Sequence, residues 1–554
     1  LGDAASPPAG EYGEVFTRRW VVELILDLAG YTADRDLASM VAVEPSCGSG
    51  AFVGPMVDRL IQSCENHGRS IEDASEAMRA FDLLEVNAEI ARKAVAVQLG
   101  ESGLSSEAAE GLASRWVTAD DFLRTPHAEQ SVDFVLGNPP YIRLENVPAD
   151  RNEAYRQACP TMRGRSDIFV GFIEMGLRLL RPDGVLGFIV ADRWMRNQYG
   201  TALRGFIAEQ FAVDAVIEMH DVDAFEDEVS AYPAITVIRR SEQAAPIVAS
   251  ATAAFGAPQA DDLKRWTNSP KREGLDLPSI RAARLPAWFS GTDAWPSAPP
   301  EQLAVIADLE RRFGPLEDPG TRTRVGIGLA TGADDVYLTH DSSLVESERL
   351  LPMVMAKDLA GGRISWAGHY LVNPWDDEGL VDIDDWPRFR AFLELHGRRV
   401  KGRHTAAKAP ERWWRTIDRM TPGLLGTPKL LLPEMKASAH PVLDDGQFYP
   451  HHNLYYVTSS GWDLEVLGGL MLSDVTNLFI GAYCVKMRGG TYRFQAQYLR
   501  RIRVPAPESV RAADRKALAS AFERRDVEAA TGVAARVYGI DASVLATERR
   551  AEVV

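Results

Sequence analysis

The sequence is short of the residues that staple or metallate a fold. Its four cysteines, Cys47, Cys64, Cys159 and Cys484, show neither paired nor metal-binding spacing, so no disulfide framework, zinc site or other bound metal is expected. Long apolar runs are missing too. The longest, such as Gly184 to Ala191, fall far short of the ~20 residues that cross a bilayer. No signal peptide is visible, so a reducing, cytoplasmic location without a membrane partner is expected. Positive charge is the third scarcity: 61 Lys and Arg against 78 Asp and Glu give a net charge of −17. Taken as a sum, that argues against a polyanionic partner. The charge is unevenly spread, however. The whole of the deficit falls before residue 260, whereas Arg398 to Lys436 holds ten Lys and Arg against Glu411, Asp418 and Glu434. A basic stripe in an acidic chain is where a nucleic acid would sit, with Arg398, Arg399, Lys401, Arg403, Arg412 and Arg415 as candidate contacts.

What the chain does contain is a series of short strands that end in unusual turns. Phe134 to Leu136 reads as a buried strand, stopped by Asn138-Pro139-Pro140-Tyr141, because neither proline can donate to a sheet ladder. The prolines hold the turn extended and stiff. A stiff turn can aim one carboxamide and one backbone carbonyl at a single point. Neither group is a base, and the amide oxygen only accepts hydrogen bonds. A planar amine is the matching target, and the Tyr141 ring offers a flat face for stacking.

Upstream, Met40 to Val43 is a short strand that runs through Glu44-Pro45-Ser46-Cys47-Gly48-Ser49-Gly50-Ala51-Phe52 into a helix. This is the opening βα unit of a doubly wound sheet, in which ligands sit at the carboxyl ends of strands. Gly48 and Gly50 allow close backbone approach. A dinucleotide fingerprint would need a third glycine, and a phosphate loop would need a lysine; neither is present. A strand over Met78 to Leu84 leads to Glu85, with Asp82 as the alternative acid. Trp116 to Leu123 then brings Asp121 and Phe122 to another strand end. A helix is expected from Trp20 to Leu28 with Thr17 as its cap. Helices over 167–180 and 200–211 and strands over 184–190, 215–217 and 234–238 complete a first domain.

These phrases resemble those of the gamma group of DNA amino-methyltransferases. E-P-S-C-G-S-G-A-F is similar to the family's motif I, and N-P-P-Y to motif IV in the spelling of adenine-N6 enzymes. Glu85-Val86-Asn87-Ala88 resembles motif II, Asp120 to Leu123 motif III, and Gly10 to Thr17 motif X, with Arg18 where Pro usually follows. The order of motifs, cofactor loop before target loop, is that of the gamma group. The resemblance is close over about 10–240 and loose over about 320–505, where Gly328 to Asp334, Thr427 to Pro433 and Arg488 to Tyr492 look like landmarks of target-recognition domains.

The resemblance implies an α/β, Rossmann-like catalytic domain with a doubly wound mixed sheet over 1–245. A connecting region over 246–310, a second α+β DNA-recognition domain over 311–508 and a helical segment over 509–554 would follow. It implies S-adenosylmethionine as cofactor, held by Thr17, Glu44, Pro45, Gly48, Gly50, Glu85, Asp121 and Phe122. Catalysis would rest on Asn138, Pro139, Pro140 and Tyr141, with Phe225 sandwiching an extruded base against Tyr141. The partners implied are double-stranded DNA, bound by a monomer in the cytoplasm and nucleoid, and a cognate restriction endonuclease. Two other readings stay open: a protein-glutamine or RNA methyltransferase, and a DNA-recognition subunit that needs a partner.

Overall fold

The computed structural model describes residues 15–227, 232–269, 274–286, 288–486 and 491–545. Gly10 to Glu14 of the motif X resemblance and Arg488 to Gly490 lie outside them. The chain divides into two compact units, Leu1–Ala304 and Val305–Val554.

The first unit is built on one ten-stranded sheet in the order β3-β2-β1-β4-β5-β7-β6-β8-β10-β9. Its strands are β1 (Ala42–Glu44), β2 (Met78–Asp82), β3 (Val117–Ala119), β4 (Val132–Gly137), β5 (Leu180–Ala191), β6 (Ala212–Glu218), β7 (Pro233–Arg239), β8 (Ile247–Ala251), β9 (Leu275–Leu277) and β10 (Ile280–Arg284). Strands β3 to β5 of that order run parallel, and β7 enters antiparallel beside β5. The helices are α1 (Arg19–Ala29), α2 (Val53–His67), α3 (Glu85–Glu101), α4 (Ser106–Trp116), α5 (Ala149–Ala158), α6 (Phe169–Leu179), α7 (Thr201–Gln210) and α8 (Ala257–Thr267).

Helices cover both faces of the sheet. A side chain at Gly187 of β5 would meet Ile25 and Ala29 of α1, whereas Gly176 of α6 lies against Leu186 and Val135 on the other face. The central strands are therefore apolar throughout instead of alternating, as β1 and the last four residues of β4 show by their complete burial. Helix α1 buries Val21, Val22, Leu24, Ile25 and Leu26, and each such side chain stabilises the fold by about 1.5–3 kcal/mol when fully buried. The chain moves from β1 outward through β2 to β3, then returns to place β4 on the opposite side of β1. This reversal opens a crevice at the carboxyl ends of β1 and β4, where open α/β sheets bind ligands.

Two expectations change, and one helix is added. Residues 246–310 are not a plain connection, because β8, β10 and β9 extend the sheet there; alanine-rich, short strands such as β10 carry little periodic signal. Thr17 does not cap α1, whose preceding residue Arg18 makes no side-chain capping bond. The polar stretch after Tyr141 contains α5, a helix with Tyr155 as its buried residue.

The second unit is α+β. One four-stranded sheet joins Arg324–Ile327, Leu454–Thr458, Lys429–Pro433 and Val442–Asp444 in antiparallel register. A second joins Leu338–Thr339, Tyr370–Val372, Leu350–Val354 and Tyr449–Pro450. Residues 509–545 belong to this unit, with helices Ala512–Arg524 and Val527–Tyr538 packed against Leu464–Leu472. Among the described residues no single helix is long and apolar enough to cross a membrane.

Candidate active site

The turn after β1 is shaped by glycine at two places. Gly48 and Gly50 have φ of +51° and +104°, values that side-chain-bearing residues rarely adopt. Their backbone is then held by the neighbouring strand end: Cys47 N–H donates to Phe81 O at 2.7 Å, and Gly48 N–H to Asp82 Oδ2 at 2.9 Å. The β4 turn is tied to the same loop, since Ser46 Oγ donates to the Asn138 carbonyl at 3.2 Å. Gly137 is required by proximity, because a Cβ there would collide with the Glu44 carboxylate.

Between these turns lies a cavity lined by Glu44, Pro45, Gly48, Asp82, Asp121, Phe122, Asn138, Pro140 and Tyr155, with Val15 to Thr17 and Asp120 also on its wall. Four carboxylates reach it, and among the described residues no Lys or Arg does. Glu44 is almost completely buried, its Oε2 has no hydrogen-bond partner, and Ser46 N–H approaches only Oε1. Burial pushes the Glu44 carboxyl well above the ordinary carboxylate range, and nearby Asp82 pushes it further. Such a chamber rejects phosphates and suits a cationic ligand with a flat apolar part. Phe122 provides the flat wall, stacked on Phe172 at 5.6 Å and 20°.

The Asn138 carboxamide is fixed by the chain before α1. Its Nδ2 donates to Val15 O at 2.9 Å and to Thr17 Oγ1 at 3.0 Å, while Oδ1 is buried without a partner. Because a carbonyl can only accept, the Val15 contact settles which end of the amide is nitrogen. Residues 16–18 are themselves held by the segment around Phe225: Arg18 N–H donates to Ala224 O at 3.0 Å and Glu226 N–H to Phe16 O at 2.9 Å. Thr17 thus touches the amide of Asn138, a partnership that its sequence neighbourhood did not reveal.

Several residues stand elsewhere than expected. Glu85 points outward to Arg92 with its side chain 61% exposed, and Asp82 takes the strand-end place; β2 stops at Asp82, two residues earlier than its apolar pattern implied. Asp82 also accepts from Leu84 N–H at 2.9 Å, joining the two loops. Gly50 shapes the turn without lining the cavity. Tyr141 and Phe225 meet edge to face, centroids 6.2 Å apart at 82°, and so do not form parallel walls for a base; the Tyr141 hydroxyl donates to Ile189 O at 3.2 Å. In the second unit Arg403 is buried, its guanidinium donating to the carbonyls of Thr331, Trp413 and Arg415. It staples a loop and is no contact for DNA. Arg398, Arg399, Lys401 and Arg412 are exposed on the surrounding short helices; Arg399 is paired with Asp335, and Lys401 lies over the Trp413 ring at 4.5 Å.

Among the described residues, two groups combine carboxylates and histidines at metal-ligating spacing, Asp192 with Glu218 and His220, and Asp334 with His451 and His452. Neither lines the cavity. Asp192 already faces Arg196 and His220 at 2.6 Å each.

A doubly wound sheet whose switch point joins an acidic chamber to a carboxamide with one open, buried acceptor fits the class of S-adenosylmethionine-dependent methyltransferases. The family model of Eco57I restriction-modification methylases matches residues 70–225. The chain is 43% identical over 535 residues to the type II methyltransferase M.PaeR7I of Pseudomonas aeruginosa, covering 95% of this chain and 92% of that protein. It is 41% identical over 540 residues to M.XhoI of Xanthomonas vasicola, covering 96% and 98%. The type IIL restriction-modification enzyme MmeI, solved with DNA, shares the fold: TM-score 0.52 at 12% identity, over 94% of this chain and 74% of that one. The chain belongs to the type II DNA methyltransferases of restriction–modification systems.

The buried, unpartnered Glu44 Oε2 and the acidic lining fit S-adenosylmethionine, whose amino and sulfonium groups are positive. It supplies an activated methyl group.

Proposed function

We propose that the chain methylates the N6 amine of adenine in duplex DNA, taking the target base out of the helix to do so. The observation that supports this most is the Asn138 Oδ1, a buried acceptor left open while the other end of its amide is anchored twice. An exocyclic amine is the donor that satisfies it. Oδ1 and the Pro139 carbonyl accept the two N–H bonds, which turns the nitrogen lone pair toward the methyl donor. As the amine takes on positive charge, these preset dipoles stabilise it without reorganising. No general base is needed before transfer, since the methylated nitrogen sheds its surplus proton to solvent afterwards, and orientation in a dry site does most of the work. The amine inside a duplex is out of reach of a strand-end turn, so the base must be extruded at a cost of a few kcal/mol. Stacking on an aromatic ring such as Tyr141 returns about 1–3 kcal/mol, and Phe225 joins that stack only after turning from its edge-on pose.

Of the cofactor contacts, Glu44 faces the amino group, Asp82 the ribose, and Asp121 with Phe122 the adenine, with Thr17, Pro45 and Gly48 around them. Arg398, Lys401 and Arg412 contact phosphates. The enzyme acts as a monomer in the cytoplasm, on nucleoid DNA, and protects sites read by a cognate endonuclease. Purified enzyme is incubated with tritiated cofactor and plasmid, RNA or release factor, and plasmid nucleosides are then resolved by mass spectrometry. N6-methyladenine in plasmid alone is expected. N4-methylcytosine, label in RNA or protein, or activity only with an added subunit would each refute the proposal.

A further inference from the structure

Asp121 needs a reason to face the cavity, since an aspartate at a strand end is free to turn to solvent. Its Oδ1 accepts from Leu123 N–H at 3.2 Å, and its Oδ2 accepts from the Tyr155 hydroxyl at 2.8 Å. Tyr155 also lines the cavity, is only 2% exposed, and comes from α5, well away in sequence from the strand that carries Asp121. Helix α5 is pinned in turn. Asn152 Nδ2 donates to Leu144 O at 2.6 Å, and the Arg156 guanidinium donates to the carbonyls of Met162 and Gly164 at 2.6 and 2.7 Å. The phenol is therefore held against the carboxylate by the segment that follows the Asn138 turn. Burial pushes the phenol's pKa up, so it stays a donor, while Arg124 and Arg151 lie close enough to act on its charge.

We infer that Tyr155 is a positioning residue for recognition of the cofactor's adenine: its hydroxyl fixes the Asp121 carboxylate so that a remaining lone pair of Oδ2 meets the 6-amino group. Each carboxylate oxygen has two acceptor sites, so the phenol and the amine share Oδ2 without competing. This rests on reading Asp121 as the adenine acceptor. It makes Tyr155 a determinant of which nucleoside the cavity prefers, beyond its contribution to the cavity's shape.

The test uses the full chain and calorimetric binding of S-adenosylhomocysteine and of S-inosylhomocysteine, whose base carries an oxygen in place of the 6-amino group. The parent protein is expected to prefer the adenosyl ligand. Asp121→Ala should abolish the preference. Tyr155→Phe should weaken adenosyl binding about tenfold, the scale of one hydrogen bond to a charged group, with inosyl binding unchanged and Tm lowered by at most a few degrees. If Asp121→Ala keeps the preference, the reading of Asp121 fails and the role of Tyr155 fails with it. If Asp121→Ala loses the preference while Tyr155→Phe keeps it in full, only the Tyr155 inference is overturned. Equal weakening of both ligands by Tyr155→Phe would also overturn it, since that is the mark of altered shape.

Discussion

Replacing Asn138 by alanine separates chemistry from binding more cleanly than any other single change. The substitution deletes the open Oδ1 acceptor together with two donated bonds, to Val15 O and Thr17 Oγ1. Each deleted bond costs about 0.5–1.5 kcal/mol, so a local destabilisation of about 1–3 kcal/mol follows, which a folded enzyme of this size survives. The rate should suffer more. Removing one preset partner of a developing charge lowers kcat by about 10²–10³, or ~2.7–4 kcal/mol. Asn138 is assigned to the target amine, whereas Glu44, Asp82 and Asp121 remain for the cofactor, so cofactor affinity should stay within about threefold. The assay is tritium transfer to duplex DNA at saturating cofactor and DNA, with cofactor affinity and Tm measured on the same sample. A kcat within a few-fold of the parent's, with cofactor binding intact, would refute the assigned role. Loss of cofactor binding in parallel with kcat would show that the turn supports the cavity instead.

Three further outcomes can be checked. Glu44 has its pKa raised by burial in the free enzyme, and a cationic ligand must lower it, so cofactor binding should release protons and tighten as pH rises toward the free enzyme's pKa; calorimetry in buffers of different ionisation enthalpy reads the release, and proton uptake would contradict it. Asp82→Ala should weaken cofactor binding at least tenfold, because the Gly48 and Leu84 N–H groups then have no carboxylate to donate to, whereas Glu85→Ala, an exposed partner of Arg92, should leave it unchanged; titration of both variants decides. Replacing Arg398, Lys401 and Arg412 together should flatten the salt dependence of DNA binding by about 0.9 for each phosphate no longer neutralised, while Arg403→Met should leave that slope alone and cost about 2–3 kcal/mol of stability, seen in filter binding and thermal melts.

The first unit was legible where a short-range phrase dictates the structure. Gly48, Gly50 and Asn138 to Tyr141 announce their turns because glycine and proline limit the backbone directly, and their positions at strand ends follow. What escaped depended on contacts across sequence. Nothing around Thr17 tells that its hydroxyl receives the Asn138 amide, and nothing in the polar stretch after Tyr141 tells that Tyr155 reaches Asp121. Asp82, not Glu85, reaches the cavity because Leu83 and Leu84 look like strand but belong to the turn that starts α3. Arg403 shows the limit of counting charge, since a run of cations does not say which of them folds inward to bind carbonyls.

The anchoring of Asn138 also bears on how the enzyme is made. Its amide is held by residues 123 and 121 positions earlier in the chain, and those are clamped by the strand-like segment at Phe225, later still. A nascent polypeptide emerging from the ribosome therefore carries the target turn well before it can lock it. Contacts so distant form late. Until then the fragment holds the motif with its Asn138 amide unanchored.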